Sequence, residues 1–286
     1  MGVLHKFLAV TYPLLRVKNK FIKQEGKGRL RVLLYHDILP DEIDLFNKQI
    51  QWLSRNWKFI TPQEFESIMT SDMQISQDSL LLTFDDGFFS NRTIVEKVLE
   101  PLNIKAIFFV VSKFAALLSR KDAQQFISKN IYPKTNEDEL LPHQFNMNWD
   151  DLKFLCESGH TIGGHTATHA RLSELSNVTK LKDEIAVSAN VIEEQLGIKV
   201  KHFAYTFGDL ASFSTDALAV ASERFDYVYS GLRGVNTQTT SPYAIRRDSV
   251  TPHDPISLIG AFLEGGVDSR YRCSREVLDD WVRNET

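Results

Sequence analysis

Two short stretches of this 286-residue chain carry side chains that could act together on one substrate. Thr83-Phe84-Asp85-Asp86-Gly87 places two carboxylates side by side after an apolar run. Adjacent carboxylates resist joint ionisation, and a divalent cation removes that cost. One of the pair can bind the ion while its neighbour, projecting the other way from a strand end, stays free. Gly87 lets the chain turn sharply there. An Asp-Asp-Gly surface turn fits the bare pattern too. His165-Thr166-Ala167-Thr168-His169 is the second stretch. Its i, i+4 spacing predicts two imidazoles on one face of a helical turn, within reach of one metal. One Asp and two His form a donor set with open positions for water and substrate, as a catalytic site requires. A cation held there acidifies water, and the spare carboxylate can take the proton. Such a set suits hydrolysis of an acyl bond.

Elements able to position these groups are legible around them. Apolar runs at Leu30–Tyr35, Ser79–Phe84 and 104–111 read as buried strands, with shorter ones at 58–60, 160–162, 200–205 and near Tyr227. Between them lie helical patterns: Ile43, Phe46, Ile50 and Leu53 at helical spacing, then 91–99, 150–157 and 214–224, with a last one starting near Pro255. Thr61-Pro62 reads as an N-cap followed by Pro at the first helical position. Asn177 caps a long helix that stops at Gly197. Such alternation predicts an α/β fold with a parallel sheet, curved into a barrel. In barrels of this kind reactive groups sit at the carboxyl ends of strands, where both motifs fall. Residues 113–148, with Pro133, Lys134, Asn136, Asp138 and Pro142, break the alternation and read as an insertion or lid.

Composition narrows the function classes. A net charge of −4 gives no reason to expect nucleic acid. Cys156 and Cys273 lie far apart, without the spacing of a thiolate metal site or a disulfide framework. The N-terminus stands apart: residues 1–31 carry Lys6, Arg16, Lys18, Lys20, Lys23, Lys27, Arg29 and Arg31 against Glu25 alone. Apolar residues alternate with these charges, but the run from Phe7 to Leu15 is too short to span a bilayer, which takes about 20 residues. It lacks a cleavage site of small residues. Two readings stay open for residues 1–29: a basic amphipathic helix on an anionic membrane surface, or a helix packed on the domain formed by 30–286. The expected location is cytoplasmic or peripheral to a membrane.

TFDDG at 83–87, followed by GGHTATH at 163–169, resembles the NodB-homology polysaccharide deacetylases, carbohydrate esterase family 4. The likeness extends over roughly residues 30–250. Leu34-Tyr35-His36-Asp37 and Phe203-Ala204-Tyr205-Thr206-Phe207-Gly208-Asp209 are similar to segments of the branch that acts on poly-N-acetylglucosamine and related exopolysaccharides. The resemblance implies a distorted (β/α) barrel with fewer than eight strands. It implies one divalent metal, expected to be Zn²⁺, on Asp86, His165 and His169, with Asp85 as catalytic base. Phe207 takes the place of a tyrosine whose backbone N–H helps hold the oxyanion.

Several positions depart from that pattern. The family's third motif often carries an Arg that pairs with the catalytic Asp, and here Ala204 stands there. Arg246 or Arg247 could supply it, Arg247 being the better match to the branch's late Arg. The late His of the family is not recognisable; His253 is the nearest in sequence. His36 sits at a strand end, either lining the pocket or bonded to backbone. Tyr205 and the pair Phe88-Phe89 could offer surface on which a sugar stacks, although 19 Phe in the chain make core packing the default, and Trp149 reads as packing. The expected reaction is removal of acetyl from a 2-acetamido sugar of a polysaccharide or a lipid-linked glycan. Hydrolysis of a non-sugar amide or imide, and a catalytically inactive sugar-binding module, are the alternatives.

Overall fold

In the computed structural model, which describes residues 3–22 and 28–285, every apolar run read as a strand is one. The strands are β1 (Leu30–Tyr35), β2 (Lys58–Phe59), β3 (Ser79–Phe84), β4 (Ala106–Val110), β5 (Thr161–Gly164), β6 (His202–Ala204), β7 (Tyr227–Tyr229) and β8 (Asp248–Ser249). All pairs are parallel, in the order β7-β6-β5-β4-β3-β1-β8, with the short β2 attached to the start of β3. A single parallel bridge between Tyr229 and Ile245 brings the segment before β8 toward the far edge. The sheet is thus a curled, open half-barrel of seven strands along its path, the distorted barrel expected.

Every residue of β1, β3 and β4 is buried, because both faces of the sheet are covered. Alternation sorts them by face. Val32, Leu81, Ile107, Phe109, Tyr229 and Ile245 form one core, plugged by Phe65, Ile68 and Met69. Leu33, Leu82, Phe84 and Phe108 form the other, together with residues of the surrounding helices. Following the first set along each strand gives Val32, Leu34 and His36 on β1, and Leu81, Thr83 and Asp85 on β3. Asp85 therefore points to the inside of the barrel by parity alone.

The helices are α1 (Val3–Ile22), α2 (Ile43–Asn56), α3 (Pro62–Met69), α4 (Phe89–Ile94), α5 (Ser112–Ala115), α6 (Arg120–Phe126), α7 (Trp149–Glu157), α8 (Val178–Lys182), α9 (Ser188–Leu196), α10 (Thr215–Arg224), α11 (Ile256–Leu263) and α12 (Arg272–Glu285). Their ends follow the chemistry read from sequence. Thr61 accepts from the Glu64 N–H while Glu64 accepts from Thr61, a reciprocal cap on α3. Asn177 caps α8, and Gly197 ends α9 with φ 67°. The expected helix from 177 to 196 is one rod in which residues 183–187 widen into a π-helical turn between α8 and α9. Helix α12 carried too little signal to read: only Leu278 and Val282 are buried in a charged stretch.

Residues 113–148 have a small core of their own, with Phe114, Ala123, Ile127, Ile131 and Leu140 packed on Phe88 and Val111. Phe145 stacks on Phe89 at 4.7 Å, and Gln144 donates to Asp37 at 2.9 Å. Helix α1 lies against α11. The Tyr12 ring sits over Gly260, and Leu8 and Leu15 sit over Gly266, where a Cβ would clash. Asn19 donates to the Glu264 carboxylate at 2.7 Å. Two cations of the basic N-terminal stretch are structural rather than free. Arg29 pairs with Asp78 and Glu264, each at 2.7 Å, and fully buried Arg31 pairs with Asp268 at 2.8 Å and Asp248 at 3.3 Å. No helix among the described residues is long and apolar enough to cross a membrane.

Candidate metal centre and active site

The carboxyl ends of β1, β3, β5 and β6 supply most of the site. Tyr35 pairs with Phe84, so the next residues, His36 and Asp85, leave β1 and β3 side by side. Beyond β3 the chain turns at Asp86 (φ 74°) and Gly87 (φ 89°). That left-handed step carries Asp86 toward the β5 end instead of into the barrel with Asp85; Asp tolerates it and Gly87 continues it at no steric cost. The His165 N–H donates to Val110 at the end of β4, and its Nδ1 meets the Ala204 carbonyl of β6 at 2.8 Å.

The two imidazoles do not ride on a helical turn, as their spacing predicted. Residues 165–169 form a loop in which Thr166 (φ 65°) and His169 (φ 61°) are left-handed. Five hydrogen bonds help hold it. The Thr166 hydroxyl accepts from the His169 N–H at 2.9 Å. Glu184, on the π-helical turn after α8, accepts from the N–H groups of Ala167 and Thr168 at 3.0 and 2.9 Å. It also accepts from the Thr168 hydroxyl at 2.8 Å. The His169 Nδ1 meets the Asn130 carbonyl at 3.0 Å, so the inserted segment orients a site residue.

These contacts assign the tautomers. A carbonyl only accepts, so Nδ1 of both rings carries the proton and both Nε2 atoms present lone pairs. Those lone pairs face the same buried oxygen: Asp86 Oδ1 lies 3.5 Å from Nε2 of His165 and 3.3 Å from Nε2 of His169. Asp86 Oδ1 has no hydrogen-bond partner. Three acceptors converging in a buried site repel one another unless a cation lies among them. Asp86, His165 and His169 form such a cluster, with donor atoms all within 4.8 Å of one another. The residues therefore fit a divalent metal.

Asp85 is held differently. Arg247 grips it with two parallel bonds, Nη1 to Oδ1 at 2.7 Å and Nη2 to Oδ2 at 2.9 Å. Both residues are almost wholly buried. The guanidinium is itself fixed, donating Nε to the Ser230 carbonyl at 2.9 Å and lying over the Phe109 ring. Arg247 is thus the partner that Ala204 cannot be. Arg246 points away, to Asp279 and the Val235 carbonyl.

A cavity of about 230 Å³ opens over these groups, lined by His36, Asp85, Asp86, His165, His169, Tyr132, Phe207 and Arg247 among others. Phe207 (φ 63°) forms its rim, with its ring edge-on to His169 and the Arg171 guanidinium stacked on it at 4.3 Å. The substrate-site reading of Tyr205 needs correction. Tyr205 is not at the cavity: its ring stacks on Phe213 at 3.8 Å in the layer between sheet and helices, because it follows Ala204 on the opposite face. Phe88 is sealed in the core of the inserted segment, and Phe89 lines a separate apolar cavity with Phe145. His253 is exposed and pairs with Glu42 at 2.7 Å, outside the site.

Three residues of the site were not legible beforehand: Asn130, Tyr132 and Glu184. Tyr132 comes from the inserted segment, stacked on Phe88. Burial and the carboxylates of Asp86, Asp37 and Glu42 push its phenol up, so it stays protonated and able to donate. Their roles depend on backbone carbonyls, loop packing and distant contacts, none of which leaves a spacing to read.

The model of the polysaccharide deacetylase family matches residues 72–227, more than half of the chain. YxkH of Bacillus subtilis (strain 168) is 23% identical over 253 residues, covering 86% of this chain and 80% of the relative. Among solved structures, IcaB from Ammonifex degensii superposes with TM-score 0.66 at 24% identity, covering 84% of this chain and 98% of that one. A de-N-acetylase from Aggregatibacter actinomycetemcomitans gives TM-score 0.64 at 17% identity, covering 82% and 100%. The Streptococcus pyogenes deacetylase PplD, in complex with acetate, gives 0.63 at 16%, covering 82% and 97%. These structures share the fold.

Proposed function

The chain belongs to the polysaccharide deacetylase family, and from that premise we propose that it removes N-acetyl groups from 2-acetamido sugars of a polysaccharide or lipid-linked glycan. The observation that carries this reading is the pairing of two differently held carboxylates. Asp86 shares a buried cluster with two Nε2 lone pairs, while its neighbour Asp85 is locked by Arg247 beside that cluster. A divalent metal, Zn²⁺ by the donor set, supplies Lewis-acid chemistry when bound there.

The chain's own residues divide the remaining work. Asp85 accepts the proton of the attacking water, whose oxygen adds to the acetyl carbon. Arg247 keeps the Asp85 carboxylate in one orientation, so proton transfer needs no search among rotamers. The backbone N–H of Phe207 is the candidate donor to the developing oxyanion, and a backbone donor does not depend on the tyrosine hydroxyl that Phe207 lacks. His36 is the imidazole of the cavity outside the metal set, and we assign it the proton delivered to the leaving nitrogen. When the C–N bond breaks, the products are acetate and the free amine of the sugar. Tyr132 and Phe207, both lining the cavity, bound the space for the sugar ring.

The resemblance of the β1 and β6 ends to the exopolysaccharide branch favours a β-linked N-acetylglucosamine polymer as substrate. The test is acetate release by metal-reconstituted protein across free, polymeric and lipid-linked N-acetylhexosamines, with cyclic imides as control. Release from a sugar substrate supports the reading. Turnover of the imides alone replaces it with non-sugar amide chemistry. No turnover of any of them by protein that binds metal returns it to a binding module.

A further inference from the structure

Helix α1 has two apolar faces, and the domain uses only one. Leu8, Tyr12, Leu15 and Asn19 face α11, the first three over Gly260 and Gly266 and Asn19 bonded to Glu264. The opposite side repeats the same four-three-four spacing with Val10, Leu14, Val17 and Phe21. These four are 77%, 73%, 54% and 86% exposed, among the most exposed large apolar residues described. Exposed apolar residues scattered singly need no explanation, but four aligned on one helix face do. The sequence that carries this face has charge of one sign. Residues 1–27 carry Lys6, Arg16, Lys18, Lys20, Lys23 and Lys27 against Glu25, in a chain whose net charge is −4. Arg29 and Arg31, which the sequence groups with them, are spent on ion pairs within the domain and do not contribute.

We propose that the outward face of α1 docks the protein onto an anionic lipid surface, with Val10, Leu14, Val17 and Phe21 in the acyl boundary and the positive charge of this stretch of sequence drawn to the headgroups. Length decides between this occupant and a second copy of the chain. The stripe spans 12 residues, under two heptads, too short for a stable two-helix seam. A second copy would also bring like charges together. An anionic bilayer instead takes both the apolar stripe and the cations, each Lys or Arg at such a surface adding about fivefold to partitioning. Because α1 packs on α11 through its other face, docking leaves the domain intact and holds it at the membrane surface. The proposal is independent of the reaction assigned to the cavity.

The experiment is co-sedimentation of the full chain with phosphatidylcholine vesicles, with and without phosphatidylglycerol. Variants are Val10→Ser/Leu14→Ser/Phe21→Ser, which leaves the packed face untouched, and Lys18→Gln/Lys20→Gln. The parent is expected to bind the anionic vesicles alone, and less as salt rises. The triple Ser variant should lose at least about tenfold in binding, and the double Gln variant a similar factor, with unchanged circular dichroism and metal content. Equal binding by parent and triple variant would overturn the proposal. So would binding that ignores phosphatidylglycerol, or a parent dimer that the triple variant turns into a monomer.

Discussion

At the scale of single residues, the site rests on two adjacent aspartates whose environments differ. Asp85 is ion-paired on both oxygens, and Asp86 shares one oxygen with two imidazoles. Substituting each by Asn should separate their roles. Asp85→Asn keeps shape but cannot accept the proton of water, so metal content stays near normal and hydrolysis falls by roughly 10² to 10⁴-fold. Asp86→Asn should lower metal content and rate together. Metal analysis beside acetate release checks both, and an active Asp85→Asn would show that another group is the base. Arg247 has a larger structural share. Arg247→Met leaves the Asp85 carboxylate buried without its counter-ion, at a cost of about 3–5 kcal/mol. The double variant Arg247→Met/Asp85→Asn should recover part of that loss in urea melts, since no charge is then stranded. If the double is no more stable than Arg247→Met, the ion pair is not the source of the effect.

At the scale of elements, loops and strand ends hold the ligands in place. Glu184 ties the π-helical turn after α8 to the histidine loop through three hydrogen bonds. Groups that orient metal ligands typically affect metal affinity by 10- to 100-fold when removed. Glu184→Gln should therefore weaken metal binding by about that factor, as measured by competition with a chromophoric chelator, with helix content unchanged; unchanged affinity would make Glu184 a mere surface cap. The start of β5 carries a different dependence. His160 accepts from the Ala106 N–H at Nδ1 and faces Glu100 at Nε2, so it is folded in as the neutral ring. Burial, helped by Lys105 and only partly offset by Glu100, pushes its pKa from 6.5 down to about 4. The unfolded chain takes up this proton from about pH 6.5 downward, and the folded chain only near pH 4. Stability is therefore full above that window and falls through it, by about 3 kcal/mol in all. Denaturant midpoints between pH 7 and pH 4 would show the fall. His160→Gln should flatten it; an equally steep fall in that variant would assign it to other groups.

At the scale of the whole molecule, ligands from β3, the β5 loop and the inserted segment's hold on His169 meet at one point, so occupation of that point should stabilise the entire fold. Metal at about a hundred times its dissociation constant adds about 2.7 kcal/mol. Chelation should lower the melting temperature accordingly, and Asp86→Asn should abolish that difference; a chelator effect that survives in Asp86→Asn would place the metal elsewhere. Much of this arrangement was written in local patterns. Apolar runs with turn chemistry between them determined the parallel sheet. Adjacent Asp85 and Asp86 at the end of one run, and His165 and His169 after another, determined the ligand types and the end of the barrel they occupy. Local patterns work there because strand parity and turn preference act over a few residues. Other features depend on contacts between distant parts of the chain. The choice of Arg247 over Arg246 followed from which of two neighbouring side chains turns inward as the segment after Tyr243 crosses from β7 to β1. The histidine loop took left-handed steps in place of a helical turn because Glu184 and Asn130, far along the chain, satisfy its backbone and ring. Tyr205 left the site because it follows its strand on the outer face. Which side of α1 the domain uses was decided only when α11 covered one side and left the other bare. In each case the deciding energy lies in burial and hydrogen bonds between residues far apart in the chain, which spacing along it does not encode.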